Sequence, residues 1–223
     1  MVIFFDLDDT LIDSQRAVDW AVATVHSDLR VDPPLADFLA AWRKSHSNHY
    51  PRYLNGKISY ESLRRSRIRE VLGTHLSDAE ADSIFESYMN AYESKWALFA
   101  DVEPCLEGLR THCLGVISNG PSQEQRRKLA RLGIEPRFQH ILISEECKCA
   151  KPDPGIFGRA CELAGVTPSD AWYVGDHYEI DFCGSIAAGL RGIWLNRRGG
   201  VCESSEMKVI SSLAQVAEAI SSG

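Results

Sequence analysis

The stretch Val2-Ile3-Phe4-Phe5-Asp6-Leu7-Asp8-Asp9-Thr10 decides how the rest of the chain is read. Four apolar residues in succession predict a strand buried on both faces, as in the middle of a parallel sheet. The run ends abruptly in three carboxylates, Asp6, Asp8 and Asp9. Side chains alternate along a strand, so Asp6 and Asp8 would leave its end on the same side. Two like charges held so close repel, and folding gains nothing from that unless a cation or a reaction uses them. The competing reading is a polar strand-to-turn cap that is acidic by chance.

Outward from this strand the texture changes twice. From about Asp13 to Trp96 the pattern is helical, with no convincing strand. Ala17, Val18, Ala21, Val22 and Val25 recur at helical spacing, as do Leu35, Phe38, Leu39 and Trp42 after Pro33-Pro34. Ser59 can cap a helix through Leu63, Ile68, Val71 and Leu72 that ends at Gly73. Ser77-Asp-Ala-Glu80 has the spacing of a capping box and opens another helix through Ile84, Phe85 and Tyr88.

Beyond Pro104, strands and helices alternate, which predicts a parallel sheet covered by helices on both faces. The expected strands are Leu114–Ile117, His140–Ile143, Trp172–Val174 and, last, Gly192–Leu195. Helices are expected from Ser122 as a cap to Gly133, through Ile156 to Gly165, from Ile180 to Ala188, and over Leu213–Ile220. The fold class is therefore α/β: a Rossmann-like parallel sheet core from 1–12 and 97–223, with an inserted all-helical domain over 13–96.

Composition narrows the function classes. The chain has 223 residues, 44% of them apolar and 25% charged, as in an ordinary soluble globular protein. A net charge of −7 argues against nucleic acid or a membrane surface as the main partner. No apolar run reaches the length of a membrane span, and the early Asp6 argues against a secretory signal. Seven scattered cysteines suit a reducing, cytoplasmic setting better than a disulfide framework, and Cys147 and Cys149 read as free thiols near a loop. Oligomeric state is left open between monomer and homodimer.

The polar punctuation falls in one kind of place. Asp6, Asp8, Ser118, Lys151 and Asp176 all follow the carboxyl end of an expected strand, the edge where open parallel sheets bind ligands. Taken singly, Ser118-Asn119-Gly120 could be a turn and N-cap, Lys151 a solvated loop lysine, and Asp176 a helix cap. Together they have the inventory for phosphoryl transfer through an aspartyl intermediate. Asp6 is the candidate nucleophile. Asp8 is the candidate acid for the leaving oxygen and then base for water. Nucleophile and substrate are both anionic, so a cation is needed between them. Mg²⁺ suits oxygen ligands from Asp6, Asp176 and the carbonyl of Asp8, with Asp181 holding a water or supporting the ligands. The Ser118 hydroxyl, the amides of Asn119 and Gly120, and the Lys151 ammonium are candidate donors to the phosphoryl oxygens.

These residues identify a resemblance. Asp6-Leu-Asp8-Asp-Thr10 fits the DxDxT motif of the haloacid dehalogenase-like hydrolase superfamily. Ser118-Asn-Gly fits its second motif, Lys151-Pro-Asp-Pro its third, and Gly175-Asp176 through Asp181 its fourth. The helical block resembles the four- to five-helix cap of that superfamily's first type, entered by a Gly-rich or squiggle-like turn after Thr10. The resemblance implies supporting roles for Thr10 and Asp181, and a substrate chosen by the cap. It also implies a phosphate ester as substrate, because dehalogenases lack the second aspartate, whereas Asp8 is present. Ser118-Asn-Gly-Pro-Ser-Gln and Ser144 to Pro154 are similar to the nucleotide and acylneuraminate phosphatase branch, with Lys148 where that branch often carries glycine.

The expected function is thus a Mg²⁺-dependent phosphomonoester hydrolase acting on a small phosphorylated metabolite of the nucleotide or sugar phosphate class. A sugar phosphomutase and a non-catalytic regulatory module on the same fold are the rivals. In the helical block, His46, His49, Tyr50, Arg52 and Tyr53 around Pro51 read as a polar-aromatic surface loop that could face a leaving group. Arg64, Arg65, Arg67 and Arg69 read as a solvated helix face.

Overall fold

The computed structural model describes residues 1–199 and 207–221. It contains a six-stranded sheet formed by β1 (Val2–Phe5), β2 (Cys113–Ser118), β3 (His140–Ile143), β4 (Ala171–Gly175), β5 (Arg191–Leu195) and β6 (Val209–Ile210). The order is β3-β2-β1-β4-β5-β6 and every pairing is parallel. β1 lies between β2 and β4 and is buried on both faces, which is why its sequence does not alternate. Ile3 and Phe5 pack with Val116, Leu129, Val174 and Ile193, while Val2 and Phe4 pack on the other face with Phe157, Ala160 and Tyr173. Burial of such side chains contributes about 1.5–3 kcal/mol each.

The chain runs outward from β1 to β2 and β3, then returns to the other side of β1 as β4 and β5, so the order reverses between β1 and β4. Open α/β sheets bind ligands at such a reversal, outside the carboxyl ends of the strands. The register fixes what arrives there. Phe5 pairs with both Val116 and Val174, so Ser118 and Asp176, each two residues further on, emerge on either side of the segment that begins at Asp6.

That segment folds back at once. The amides of Leu11 and Ile12 both donate to the Leu7 carbonyl, at 2.9 and 3.0 Å, and the Asp9 amide donates to the Ile12 carbonyl at 2.8 Å. Asp9 takes φ +60°, a left-handed conformation that aspartate tolerates better than most residues. This single turn of Leu7–Ile12 contains no glycine, so the Gly-rich alternative is excluded.

The chain divides into two compact units, Met1–Asp13 with Ala97–Gly223, and Ser14–Trp96. The second unit is helical: α1 (Ser14–Asp28), α2 (Leu35–Leu54), α3 (Tyr60–Leu72) and α4 (Asp78–Glu93). Its core holds Ala17, Ala21, Val22, Phe38, Trp42, Ile68, Phe85 and Tyr88. Ser59 caps α3 through the Ser62 amide, and α3 ends at Gly73 with φ +125°. Both halves of the Ser77–Glu80 capping box form at the start of α4. The arginines of α3 are not a solvated face. Arg65 binds Asp82 and Asp78, and Arg69 binds Asp78, tying α3 to α4. Arg67 is buried 5.0 Å over the Trp42 ring. The His46–Tyr53 stretch is also not a loop. α2 continues through Pro51 to Leu54, with His46 and Tyr50 stacked at 4.4 Å.

The first unit carries α5 (Val102–Gly108), α6 (Ser122–Arg131), α7 (Ser144–Cys147), α8 (Pro154–Ala164), α9 (Gly184–Ala187) and α10 (Val216–Ser221). Several boundaries differ from the sequence reading. Ser122 is the first residue of α6 rather than its side-chain cap. Its amide is instead satisfied by Glu145 Oε2 at 2.8 Å, an acceptor distant in sequence. The expected Ile180–Ala188 helix is a π-type turn over Tyr178–Cys183 followed by α9, and His177 caps it by accepting from the Ile180 amide. β5 is not the last strand, because the two-residue β6 adds beside it. The tail begins with a 3₁₀ turn at Leu213–Gln215 before α10.

Candidate active site

Four of the expected residues and one other meet around the Lys151 ammonium and its neighbours. Asp6 follows β1 and its amide donates to the Val174 carbonyl at 2.9 Å, which fixes the carboxylate at the end of the β1–β4 pair. Lys151 lies in the loop before α8, is 3% exposed, and its Nζ donates to Asp6 Oδ1 at 2.5 Å, Asp181 Oδ1 at 2.6 Å and the Tyr173 hydroxyl at 2.7 Å. Asp181 is held in the π-type turn, where its Oδ1 also accepts from Tyr173 at 2.9 Å and its Oδ2 from the His177 amide at 3.0 Å. Thr10 is fully buried and bridges two carboxylates: its Oγ1 lies 3.4 Å from Asp6 Oδ2 and 3.2 Å from Asp176 Oδ1, and it accepts from the Asp176 amide at 3.1 Å. Trp194 Nε1 donates to the Asp176 carbonyl at 2.8 Å and holds that backbone from β5.

Asn119 has a different task from the one its position suggests. Its side chain accepts from the Lys151 amide and donates to the Lys151 carbonyl, both at 2.9 Å. It therefore fastens the lysine loop to the end of β2, and only its backbone amide remains a candidate donor to an anion. The Gly120 amide, also expected to face a phosphoryl oxygen, donates to Ser144 Oγ at 3.0 Å. Ser118 is 1% exposed at the end of β2. Asp8 is turned toward α6, where Lys128 Nζ donates to both of its oxygens at 2.8 and 3.0 Å and Gln125 Nε2 to Oδ2 at 2.8 Å.

Electrostatically the site has a surplus of buried negative charge. Asp6, Asp176 and Asp181 each present an oxygen within 4.8 Å of the others. Burial raises the Asp6 carboxyl well above its ordinary range; Lys151 opposes the rise, while Asp181 and Asp176 add to it. Burial, followed by repulsion from Asp181 and Asp9, pushes Asp176 up to about 7. For Lys151, burial works against the charge, but Asp181 and Asp6 outweigh it and hold the ammonium above its ordinary range. One lysine is thus set against three carboxylates. Oxygen-only donors with uncompensated negative charge fit a hard divalent cation of the Mg²⁺ type.

Gly175 makes this packing feasible. A Cβ at that position would stand 2.5 Å from both Cβ and Cγ of Asp181. Glycine is needed because the Asp181 side chain crosses directly over the end of β4.

Sequence reasoning missed Tyr173, Ser144, Gln125 and Lys128. For the last two the helical spacing with Leu129 on one stripe of α6 was a weak signal, masked for Lys128 by its i,i+4 pairing with Glu124. For Tyr173 and Ser144 nothing in the local pattern marks a role, because their partners lie far along the chain.

Comparison with known proteins places the chain among its relatives. The chain is 32% identical over 207 residues to pyrimidine 5'-nucleotidase YjjG of Escherichia coli strain K12, covering 87% of this chain and 85% of that protein. It is 29% identical over 219 residues to N-acylneuraminate-9-phosphatase of Rattus norvegicus, covering 89% and 84%. A solved 2-haloacid dehalogenase from Pseudomonas syringae pv. Tomato DC3000 superposes with a TM-score of 0.74 at 29% identity, covering 99% of this chain and 98% of that one. A family model for haloacid dehalogenase-like hydrolases matches residues 1–189, and the chain belongs to that family.

Proposed function

We propose that this protein is a Mg²⁺-dependent phosphomonoester hydrolase working through an aspartyl-phosphate on Asp6. The observation that carries the reading is the set formed by buried Asp6 and Asp181 with half-buried Asp176 beside Lys151, and a second carboxylate, Asp8, fixed two residues beyond Asp6. Asp6, Asp176 and the Asp8 carbonyl would hold Mg²⁺, with Asp181 in support. When bound, the ion neutralises the site and polarises the phosphoryl group.

In the first half-reaction an Asp6 oxygen attacks phosphorus. The bond from phosphorus to the leaving oxygen breaks with its electron pair, and that oxygen takes a proton from the Asp8 carboxyl group. In the second, water attacks phosphorus, gives its proton to Asp8, and the bond to Asp6 breaks, restoring the carboxylate and releasing phosphate. The Lys151 ammonium, the Ser118 hydroxyl and the Asn119 amide donate to the phosphoryl oxygens as charge grows on them. Lys151 holds Asp6 in place, and because its three N–H donors already go to Asp6, Asp181 and Tyr173, it would shift one of them onto a phosphoryl oxygen when substrate enters. Tyr173 and Asp181 fix its direction, and Asn119 fixes its backbone.

The helical unit Ser14–Trp96 would act as the cap that selects a small phosphorylated metabolite, of the nucleotide or sugar phosphate class on which the relatives' names bear. Reduced hydrogen exchange in this unit on adding a phosphate mimic would support that role, and unchanged exchange would refute it. Asp8 favours phosphate esters over the alkyl halides of the dehalogenase neighbour, since an alkyl halide needs no proton donor.

Phosphate release tests the proposal directly. A panel of sugar phosphates, nucleotides, phosphoglycolate and 4-nitrophenyl phosphate would be assayed with Mg²⁺ and with chelator, beside 2-chloropropionate. Metal-dependent phosphate release without any added sugar bisphosphate is expected. Chloride release alone, or no release by folded protein, would overturn the reading.

A further inference from the structure

Lysine is rarely buried without a reason, yet Lys128 on α6 is 1% exposed. Its Nζ donates to both Asp8 oxygens, at 2.8 and 3.0 Å, and stands 2.9 Å from Glu124 Oε1 one helical turn back. Gln125, 3% exposed on the same helix, donates from Nε2 to Asp8 Oδ2 at 2.8 Å and to the Asn119 carbonyl at 2.9 Å. Its Oε1 is buried with no hydrogen-bond partner, a position that buried amides rarely accept unless the rest of the group is committed. The Asp8 side chain is itself 32% exposed. Three of its contacts thus come from α6, and about a third of the side chain remains exposed.

We propose that Lys128, steadied by Glu124 and assisted by Gln125, is a positioning residue for proton transfer, holding the Asp8 carboxyl group where it meets the leaving oxygen. This rests on the phosphatase reading and adds to it a residue outside the sequence motifs. Asp8 sits in a turn, and an aspartate there can adopt several rotamers. Donors to both oxygens leave it one. A misplacement of 1 Å in such a group lowers rates by about 10²-fold.

The ammonium also meets the charge that the reaction creates. When the Asp8 proton passes to the leaving oxygen, the electron pair of the O–H bond stays on the carboxylate, beside Lys128. When Asp8 takes a proton from water, that charge is discharged again. Lys128 keeps its own protons throughout and does not touch the substrate.

The test is the dependence on leaving group. 4-Nitrophenyl, phenyl and ethyl phosphate have leaving oxygens of rising basicity and so rising need for a proton. Lys128→Met is expected to lower kcat for ethyl phosphate about 10²-fold, for phenyl phosphate less, and for 4-nitrophenyl phosphate by no more than about threefold. Gln125→Leu should show the same gradient with a smaller span, about tenfold on ethyl phosphate. In an Asp8→Asn background, Lys128→Met should add less than about threefold on any ester, because the residue acts through Asp8.

A uniform loss across the three esters, or a further large loss in the Asp8→Asn background, would overturn the assignment while leaving the phosphatase reading intact. Should Lys128→Met fail to fold, the Gln125→Leu gradient decides the question alone. Wild-type protein that releases phosphate from none of the three would overturn the phosphatase reading and the assignment with it.

Discussion

Replacing Gly175 by alanine should be far more damaging than an added methyl group suggests. The new Cβ would lie 2.5 Å from Asp181 Cβ and Cγ and 2.7 Å from Oδ2. Carbon atoms rest at about 3.5–4.0 Å, so the Asp181 side chain must retreat by about 1 Å. Its bonds to Lys151 and Tyr173 are 2.6 and 2.9 Å, and such a retreat takes both beyond hydrogen-bond range. The result resembles breaking one partner from a buried ion pair, which costs about 3–5 kcal/mol. Lys151 keeps Asp6, so the lower end, about 3 kcal/mol, is expected. For a domain of this size that is a fall in Tm of about 6–12 °C.

Gly158 supplies a contrast on a helix that packs against the same sheet. It lies inside α8, and an added Cβ there meets nothing within 4 Å. Gly158→Ala should therefore stabilise by about 0.5–1 kcal/mol through helix propensity. Urea denaturation of both variants is the assay, together with phosphate release, which should drop about 10²-fold in Gly175→Ala through the misdirected Lys151. A Gly175→Ala protein as stable and active as wild type would refute the crossing of Asp181 over β4 as the source of that order.

Three further substitutions, at two positions, probe the fold around the site. Asp101 accepts from Arg197 at 2.9 and 3.0 Å, from Ser212 Oγ at 2.7 Å and from the Leu213 amide at 2.9 Å, and Arg197 also donates to the Thr10 carbonyl at 2.8 Å. Burial pushes this carboxyl up, but the hydrogen bonds outweigh it and leave it below the ordinary carboxylate range. Because the folded value is the lower one, the stabilisation is complete above the unfolded value of about 4 and is lost as pH falls below it. Asp101→Asn should lose about 1–3 kcal/mol at pH 7 and show a shallower decline between pH 5 and 3, read by urea titration across pH. Lys148 occupies a left-handed conformation at φ +53°. Lys148→Gly should be within about 1 kcal/mol of wild type, since relief of strain offsets the greater freedom of the unfolded chain, whereas Lys148→Val should lose about 1–2 kcal/mol by the same measurement.

The extent to which the structure was legible in the sequence follows from how local each determinant is. β1 could be read because burial on both faces leaves an unbroken apolar run, and Asp6, Lys151, Asp176 and Asp181 could be gathered because a parallel sheet sends every strand end to one edge. Lys148 marks the same principle at one residue, since the left-handed backbone explains why glycine suits that place. What escaped was set by distant partners. The Ser122 cap was displaced by Glu145, α2 ran through Pro51 because its packing outweighs one missing amide donor, and β6 is too short to leave a pattern. Lys128 escaped for another reason: four residues after Glu124, it looks like an ordinary surface pair. Only the structure shows the lysine of that pair buried and turned onto Asp8.

The most direct test of the central claim is to trap the intermediate. Protein would be mixed with Mg²⁺ and the best ester of the panel, quenched in acid within the first turnovers, digested, and analysed by mass spectrometry. Phosphate on the peptide containing Asp6, absent when the chase outlasts the substrate and absent from Asp6→Asn, is the expected result. Phosphate release by wild type with no phosphorylated peptide, or release undiminished in Asp6→Asn, would contradict the assignment of Asp6 as the nucleophile.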